Sequence, residues 1–233
     1  MTTDVVGRAP ETRTFVAPAN AEETHVLLRR AILIRHGETA WTLSGRHTGV
    51  TDIPLTENGR AAARGLAPLA AEANFTLVLT SPLRRARETC ELAGLGAQAQ
   101  VDATLLEWNY GEYEGLAQKE IHARAPGWML FTDGCPGGES PEHVAARVDR
   151  VIDRIRGIEG DVALFGHGHF FRVFAARWLG LPASAGSHFL LDPGTVSVLS
   201  HYRGLPAVVG EGDALATKLL GCSGDCFRRG LVG

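Results

Sequence analysis

No run of apolar residues in this chain is long enough to span a bilayer, so nothing in it reads as a transmembrane helix. A dominant charge is lacking too: 23 basic against 26 acidic residues leave no excess for nucleic acid or an anionic membrane surface. Cysteine is scarce. Cys90, Cys135, Cys222 and Cys226 form neither a zinc-type CxxC pair nor a dense disulfide framework, so a reducing cytoplasm is expected, with Cys222 and Cys226 as ordinary thiols. The first residues carry Asp4 and Glu11 and no apolar segment, which does not read as a secretory signal. The remaining composition is that of an ordinary globular protein, 45% apolar over 233 residues.

The most informative stretch is Ile32-Leu33-Ile34-Arg35-His36-Gly37-Glu38-Thr39. Its short apolar run has strand length and is too short for a helix. Gly37 then permits a sharp turn, which offers His36 at the carboxyl end of a strand, where open α/β sheets place their ligand crevices. An imidazole there serves as base, metal ligand or nucleophile.

Residues 1–28 lack periodicity and read as a mobile N-terminal extension; 29–212 read as one domain, and 213–233 as a weakly structured tail. After the strand over 31–35, Thr56 can cap an Ala-rich helix reaching Glu72. A strand over Phe75–Leu79 ends at Ser81-Pro82, with Ser81 as N-cap of a helix to Leu92. Val101–Leu106 is expected as an edge strand or an extended segment. The acidic, aromatic stretch Glu107–Gly115 is expected as a structured loop outside the core, followed by a short helix over 116–124. A helix from Pro141 to Ile155, a strand over Val162–Phe165, a helix over Phe170–Leu179 and strands over Thr195–His201 and Ala207–Val209 complete the pattern. Alternating strands and helices predict a three-layer α/β/α sandwich around a mostly parallel sheet.

Three predicted strands end alike, in polar strand-to-helix corners: Arg35-His36-Gly37, Ser81-Pro82-Leu83-Arg84-Arg85 and His167-Gly168-His169. If these strands are parallel neighbours, two imidazoles, several guanidiniums and the N-termini of the following helices converge on a pocket suited to a compact anion, phosphate above all. Arginines at a helix N-terminus oppose the dipole, which a bound anion offsets; Arg84, Arg85 and Arg87 are all candidates on that ground. Among Glu107, Glu112 and Glu114, spacing selects no acid, although a carboxyl beside Trp108 suits a general acid. No acidic pair or further histidine completes a metal shell with His167 and His169, so no metal and no cofactor is expected.

These residues resemble the histidine phosphatase superfamily, in its phosphoglycerate-mutase-like branch. The motifs that carry the resemblance are Arg35-His36-Gly37-Glu38-Thr39, Thr48-Gly49-x-Thr51-Asp52-x-Pro54-Leu55-Thr56-x-x-Gly59, Ser81-Pro82-x-x-Arg85-Ala86-x-x-Thr89, Glu107-x-x-Tyr110-Gly111-x-x-Glu114-Gly115 and Gly166-His167-Gly168. They follow the family order from about residue 31 to 201. Trp128, Asp133-Gly134-Cys135-x-x-Gly138-Glu139 and the stretch His167–Arg172 look like sedoheptulose-bisphosphatase-like and acid-phosphatase-like members.

The resemblance implies a phosphoglycerate-mutase-like fold and a phosphohistidine mechanism. His36 would be the nucleophile, while Arg35, Arg85 and His167 would hold the phosphoryl oxygens. Glu107 would protonate the leaving group and then activate water. Thr48 and Gly49 match the loop that faces substrate, and Thr42 and Gly168 join them as candidate substrate contacts.

Thr42 stands where cofactor-dependent mutases carry Asn, and only Lys119 and Arg124 lie between Gly115 and Asp133, where mutases have a longer basic insertion. Both departures favour water as acceptor. The expected protein is a metal-independent phosphomonoesterase of small phosphorylated metabolites, sugar bisphosphates among them. A phosphoglycerate mutase and a non-catalytic phosphate-ester binding protein are the alternatives. Arg46, His47 and Arg172 are candidates for a second phosphate or a sugar, with surface salt bridges as the competing account. Apolar edge strands would allow a homodimer.

Overall fold

The computed structural model describes residues 28–209. Both terminal segments expected from sequence, and with them Cys222 and Cys226, lie outside the described residues apart from residue 28. The central sheet has six strands: β1 (Leu28–Arg35), β2 (Phe75–Thr80), β3 (Ala99–Val101), β4 (Gly160–Gly166), β5 (Val196–Tyr202) and β6 (Leu205–Val209). Their order is β3-β2-β4-β1-β5-β6. The first four are mutually parallel, and β5 and β6 add an antiparallel edge.

The helices α1 (Ala40–Leu43), α2 (Glu57–Arg64), α3 (Ala67–Glu72), α4 (Arg84–Leu92), α5 (Gln118–Arg124), α6 (Leu130–Asp133), α7 (Pro141–Arg156) and α8 (Gly168–Trp178) accompany the sheet. Both of its faces are covered, which explains why β1 and β4 read as unbroken apolar runs. Ala31 and Leu33 of β1 face a large cluster that includes Val144, Val148 and Ile152 of α7 (Pro141–Arg156) and Phe170, Phe171 and Phe174 of α8 (Gly168–Trp178). Ile32 and Ile34 face a smaller cluster with Leu66 and with Cys90 of α4 (Arg84–Leu92). Successive strand residues point to opposite faces, so one short run feeds both layers.

Helix α7 starts as its sequence dictates. Ser140 accepts from the His143 N–H, and Pro141 occupies the first turn, where its missing N–H costs nothing. Thr56 caps α2 (Glu57–Arg64) by accepting from the Gly59 N–H. The expected helix to Glu72 breaks at Gly65 and resumes as α3 (Ala67–Glu72). Two further expectations are corrected. The strand over Val101–Leu106 ends at Val101, because β2 stops at Thr80 and leaves no ladder to continue; a 3-10 turn over Ala103–Leu105 follows, capped by Asp102. The stretch Glu107–Gly115 is no peripheral loop: Trp108, Tyr110 and Tyr113 are buried in the larger cluster.

The register decides where the site lies. Arg35 stands opposite Gly166, and Thr80 opposite Phe165. β2, β4 and β1 therefore end level, and their three polar corners share one edge.

Candidate active site

His36 follows the last residue of β1, and its backbone N–H donates to the Gly166 carbonyl on the neighbouring strand. Its ring is set by Nδ1, which lies 2.8 Å from the Gly37 carbonyl oxygen. A carbonyl only accepts, so Nδ1 carries the proton and the lone pair falls on Nε2. Burial first, and then the charges of Arg85 and Arg35, hold this imidazole well below its ordinary pKa of 6.5. The ring stays neutral and nucleophilic near neutral pH. Gly37 is required by close packing: a Cβ there would stand 2.6 Å from the Gly59 carbonyl oxygen.

His167 lies edge-on to His36, with ring centroids 5.2 Å apart. Its Nε2 is 2.8 Å from Ser81 Oγ, which accepts from the Leu83 N–H and donates its own proton to Nε2, so the ring proton sits on Nδ1. Ser81, expected to cap α4, instead ties the second strand corner to the third, and the α4 N-cap is Leu83. Burial, Arg85 and His36 hold His167 well below the ordinary value as well.

The guanidinium of Arg35 donates from Nη1 to the Leu191 carbonyl. It lies against the start of α8, where a Cβ on Gly168 would come within 3.0 Å of Arg35 Cζ and Nε. Arg85 is wholly buried, whereas Arg84 and Arg87 are exposed on the same helix. Arg85 Nη1 donates to the Thr51 carbonyl and Nη2 to those of Thr48 and Gly49, at 2.9 to 3.0 Å. Burial lowers the pKa of both arginines, against the pull of Glu107. Among the described residues, Arg35 Nε, Arg85 Nε and His167 Nδ1 are buried without a hydrogen-bond partner.

Glu107 is buried and accepts three backbone N–H groups: Trp108 and Phe170 at Oε1, His169 at Oε2. The carboxylate meets amides, not the Trp108 indole, whose N–H donates to the Glu139 carbonyl. Arg147 braces the same segment from behind by donating to the carbonyls of Thr104, Leu106 and Glu107 and to the Glu139 carboxylate. Helix N-termini were expected to face the anion directly. Instead Glu107 takes the free amides of α8, and Asp52 takes the Arg84 N–H at the start of α4. A protein carboxylate already answers each dipole.

Beside them opens a cavity of about 180 Å³, whose lining includes neither Arg85 nor His167. Arg35, His36, Thr42, Thr48 and Glu107 line it, together with Gly45, Arg46, His47, Tyr110 and His169. Gly49 is placed differently: its N–H is committed to Glu114, and a Cβ there would meet that carboxylate and the Trp108 carbonyl oxygen at 2.6 Å. Gly49 and Gly168 thus serve close approach, of a loop and of Arg35 respectively. Arg172 lies apart, donating to the carbonyls of Gly186 and Ser187 with its guanidinium over the Phe131 ring.

Sequence reasoning did not find the Tyr110–His169 pair, with Tyr110 Oη 2.5 Å from His169 Nδ1 across 59 positions. Both residues stand inside quoted motifs, but nothing local couples them. Glu114, which spacing does not single out, accepts the Gly49 and Thr51 N–H groups.

The chain matches the model of the histidine phosphatase superfamily (branch 1) over residues 31–214. It is 39% identical over 180 residues to an acid phosphatase of Mycobacterium tuberculosis, covering 76% of this chain and 88% of that protein. It is 36% identical over 188 residues to the sedoheptulose 1,7-bisphosphatase of Saccharomyces cerevisiae, covering 66% and 69% respectively. A solved structure from Mycobacterium tuberculosis superposes with a TM-score of 0.75 at 38% identity, covering 79% of this chain and 97% of that one.

Proposed function

The chain belongs to the histidine phosphatase superfamily, and we propose that within it the protein is a metal-independent phosphomonoesterase of small phosphorylated metabolites, working through phosphohistidine. One observation carries the reading: the unpartnered buried atoms Arg35 Nε, Arg85 Nε and His167 Nδ1 belong to the two arginines whose charges act on His36 and to the imidazole packed edge-on against it. A buried donor left unpaired costs about 1–3 kcal/mol. Phosphoryl oxygens held in front of His36 Nε2 offset that cost and gain most as charge develops in the transition state.

In this mechanism the Nε2 lone pair forms the N–P bond while the bond to the leaving oxygen breaks, and Glu107 supplies that oxygen with its proton. The Nδ1–H bond to the Gly37 carbonyl orients the ring and stabilises the positive charge it acquires. Glu107 then takes a proton from the attacking water, phosphate departs, and Nε2 regains its lone pair. Water is favoured as acceptor because the segment between Gly115 and Asp133 offers only Lys119 and Arg124 as cations.

The near-balanced charge and scattered cysteines support a cytoplasmic enzyme. The exposed edge residues Val101 on β3 and Leu205 and Val208 on β6 mark where two copies would pair. Among the described residues no helix is long and apolar enough to cross a membrane.

The test is phosphate release from p-nitrophenyl phosphate and a panel of sugar phosphates, with EDTA present and 2,3-bisphosphoglycerate absent. Turnover is expected in the wild type and lost in His36→Ala. After quenching with labelled substrate, an acid-labile, base-stable phosphoryl group is expected only in the wild type. Full turnover in His36→Ala, or inhibition by the chelator, overturns the reading.

A further inference from the structure

The cavity that reaches His36 is also lined by two nearly parallel imidazoles. His47 and His169 have ring centroids 5.9 Å apart and an interplanar angle of 14°. Tyr110 stands edge-on to both, and Trp128 and Phe131 back them from behind. Aromatic edges on several sides leave these rings little freedom to turn.

Each ring is anchored through Nδ1, with opposite consequences for its other nitrogen. His47 Nδ1 lies 2.9 Å from the Leu116 carbonyl oxygen, which only accepts. His47 therefore carries its proton on Nδ1 and presents Nε2 as an acceptor. His169 Nδ1 lies 2.5 Å from the Tyr110 hydroxyl, whose only hydrogen-bond partner among the described residues it is. A buried phenol must place its proton on a partner, so Tyr110 donates, and His169 carries its own proton on Nε2 as a donor. Burial lowers both histidines from their ordinary pKa, which keeps the rings neutral near neutral pH.

Arg46 and Arg172 both have donors committed elsewhere. Arg46 Nη1 donates to the Gly115 carbonyl at 2.5 Å and faces Glu120 at 3.5 Å. Arg172 is spent on two backbone carbonyls outside the cavity lining. A second phosphate or a carboxylate against this wall would meet the lone pair of His47, and the lining cation Arg46 is already shared with Glu120 and the Gly115 carbonyl. A hydroxyl suits both nitrogens, since it can donate to one and accept from the other.

We propose that His47 and His169, the latter with its tautomer set by Tyr110, form a hydroxyl-reading wall that selects phosphate monoesters of uncharged polyols or sugars over alkyl phosphates and over bisphosphates. This rests on the phosphomonoesterase reading and narrows its substrate class.

The experiment compares kcat/KM for sorbitol 6-phosphate, hexyl phosphate and fructose 1,6-bisphosphate, with p-nitrophenyl phosphate as a general ester. Two hydrogen bonds from a partly enclosed wall predict a preference for sorbitol 6-phosphate over hexyl phosphate of about tenfold to a hundredfold in the wild type. In His47→Phe and in His169→Phe the ratio falls towards one, and His169→Gln, which keeps an N–H donor, retains part of it. A wild type that treats the two esters alike, or prefers the bisphosphate, overturns the proposal, whether or not the variants fold. So does a ratio unchanged in folded variants. Absence of release from every ester, p-nitrophenyl phosphate included, removes the phosphomonoesterase reading itself and this proposal with it.

Discussion

Arg85 and Glu114 grip one loop by its two chemical faces: the guanidinium takes the carbonyls of Thr48, Gly49 and Thr51, and the carboxylate takes the N–H groups of Gly49 and Thr51. A loop held on donors and acceptors together keeps Thr48 at the cavity and fixes where Arg85 Nε points. Side chains separated by 29 positions thus act as one clamp.

Glu114→Ala leaves the Gly49 and Thr51 N–H groups without their acceptor. The expected cost is about 1–3 kcal/mol in stability, with kcat/KM down about tenfold as Arg85 loses its fixed position. Thermal melts and phosphate-release kinetics read the two effects. A variant with wild-type kcat/KM would show that the clamp does not position Arg85.

Two glycines at the site should respond in opposite ways to alanine. Gly168→Ala brings a methyl within 3.0 Å of the Arg35 guanidinium, the mobile end of a long side chain. Activity should drop about tenfold or more as that cation moves, with stability nearly unchanged. Gly37→Ala meets the Gly59 carbonyl, which cannot yield without shifting backbone, so stability should fall by about 1–3 kcal/mol. Equal effects of the two substitutions on the melting temperature would contradict this division.

Glu107 should matter in proportion to the leaving group. In Glu107→Gln an alkyl phosphate, whose leaving oxygen needs a proton, should slow by about a hundredfold or more, and p-nitrophenyl phosphate by much less. The ratio of the two kcat values is the readout. A uniform loss across both esters would assign Glu107 to structure alone, through its three amide bonds.

His36, His167 and His169 are held well below the ordinary value of 6.5, chiefly by burial. As pH falls below about 6.5 the unfolded chain takes up protons that the folded chain refuses, so the stability from these neutral rings is full above that pH and is lost below it. The melting temperature should therefore decline from about pH 7 to pH 5, and less steeply in His167→Gln. The acid limb of kcat/KM, set by protonation of His36, should lie below about pH 6.5. An activity already halved above that pH would contradict a neutral, pre-organised nucleophile.

The sequence by itself determined whatever depends on neighbours along the chain. Apolar runs such as Ile32–Ile34 and Val162–Phe165 specify strands because both faces must be buried, and Ser140-Pro141 and Thr56 begin helices by capping their own first turns. The corner at His36 was legible for the same reason, as a strand ended by a glycine that tolerates backbone contact. The choice among Arg84, Arg85 and Arg87 was not legible from residues alone, since all three share a short helix; only the packing of α4 on the sheet makes Arg85 the inward one. Glu107, Glu112 and Glu114 looked equivalent until the tertiary structure brought the start of α8 to Glu107 and the Thr48–Thr51 loop to Glu114, leaving Glu112 exposed. The tautomers of His47 and His169 were likewise decided by Leu116 and Tyr110, far away in sequence. Local propensity acts over a few residues, whereas these roles depend on partners delivered by the order β2-β4-β1, and only the assembled sheet supplies that order.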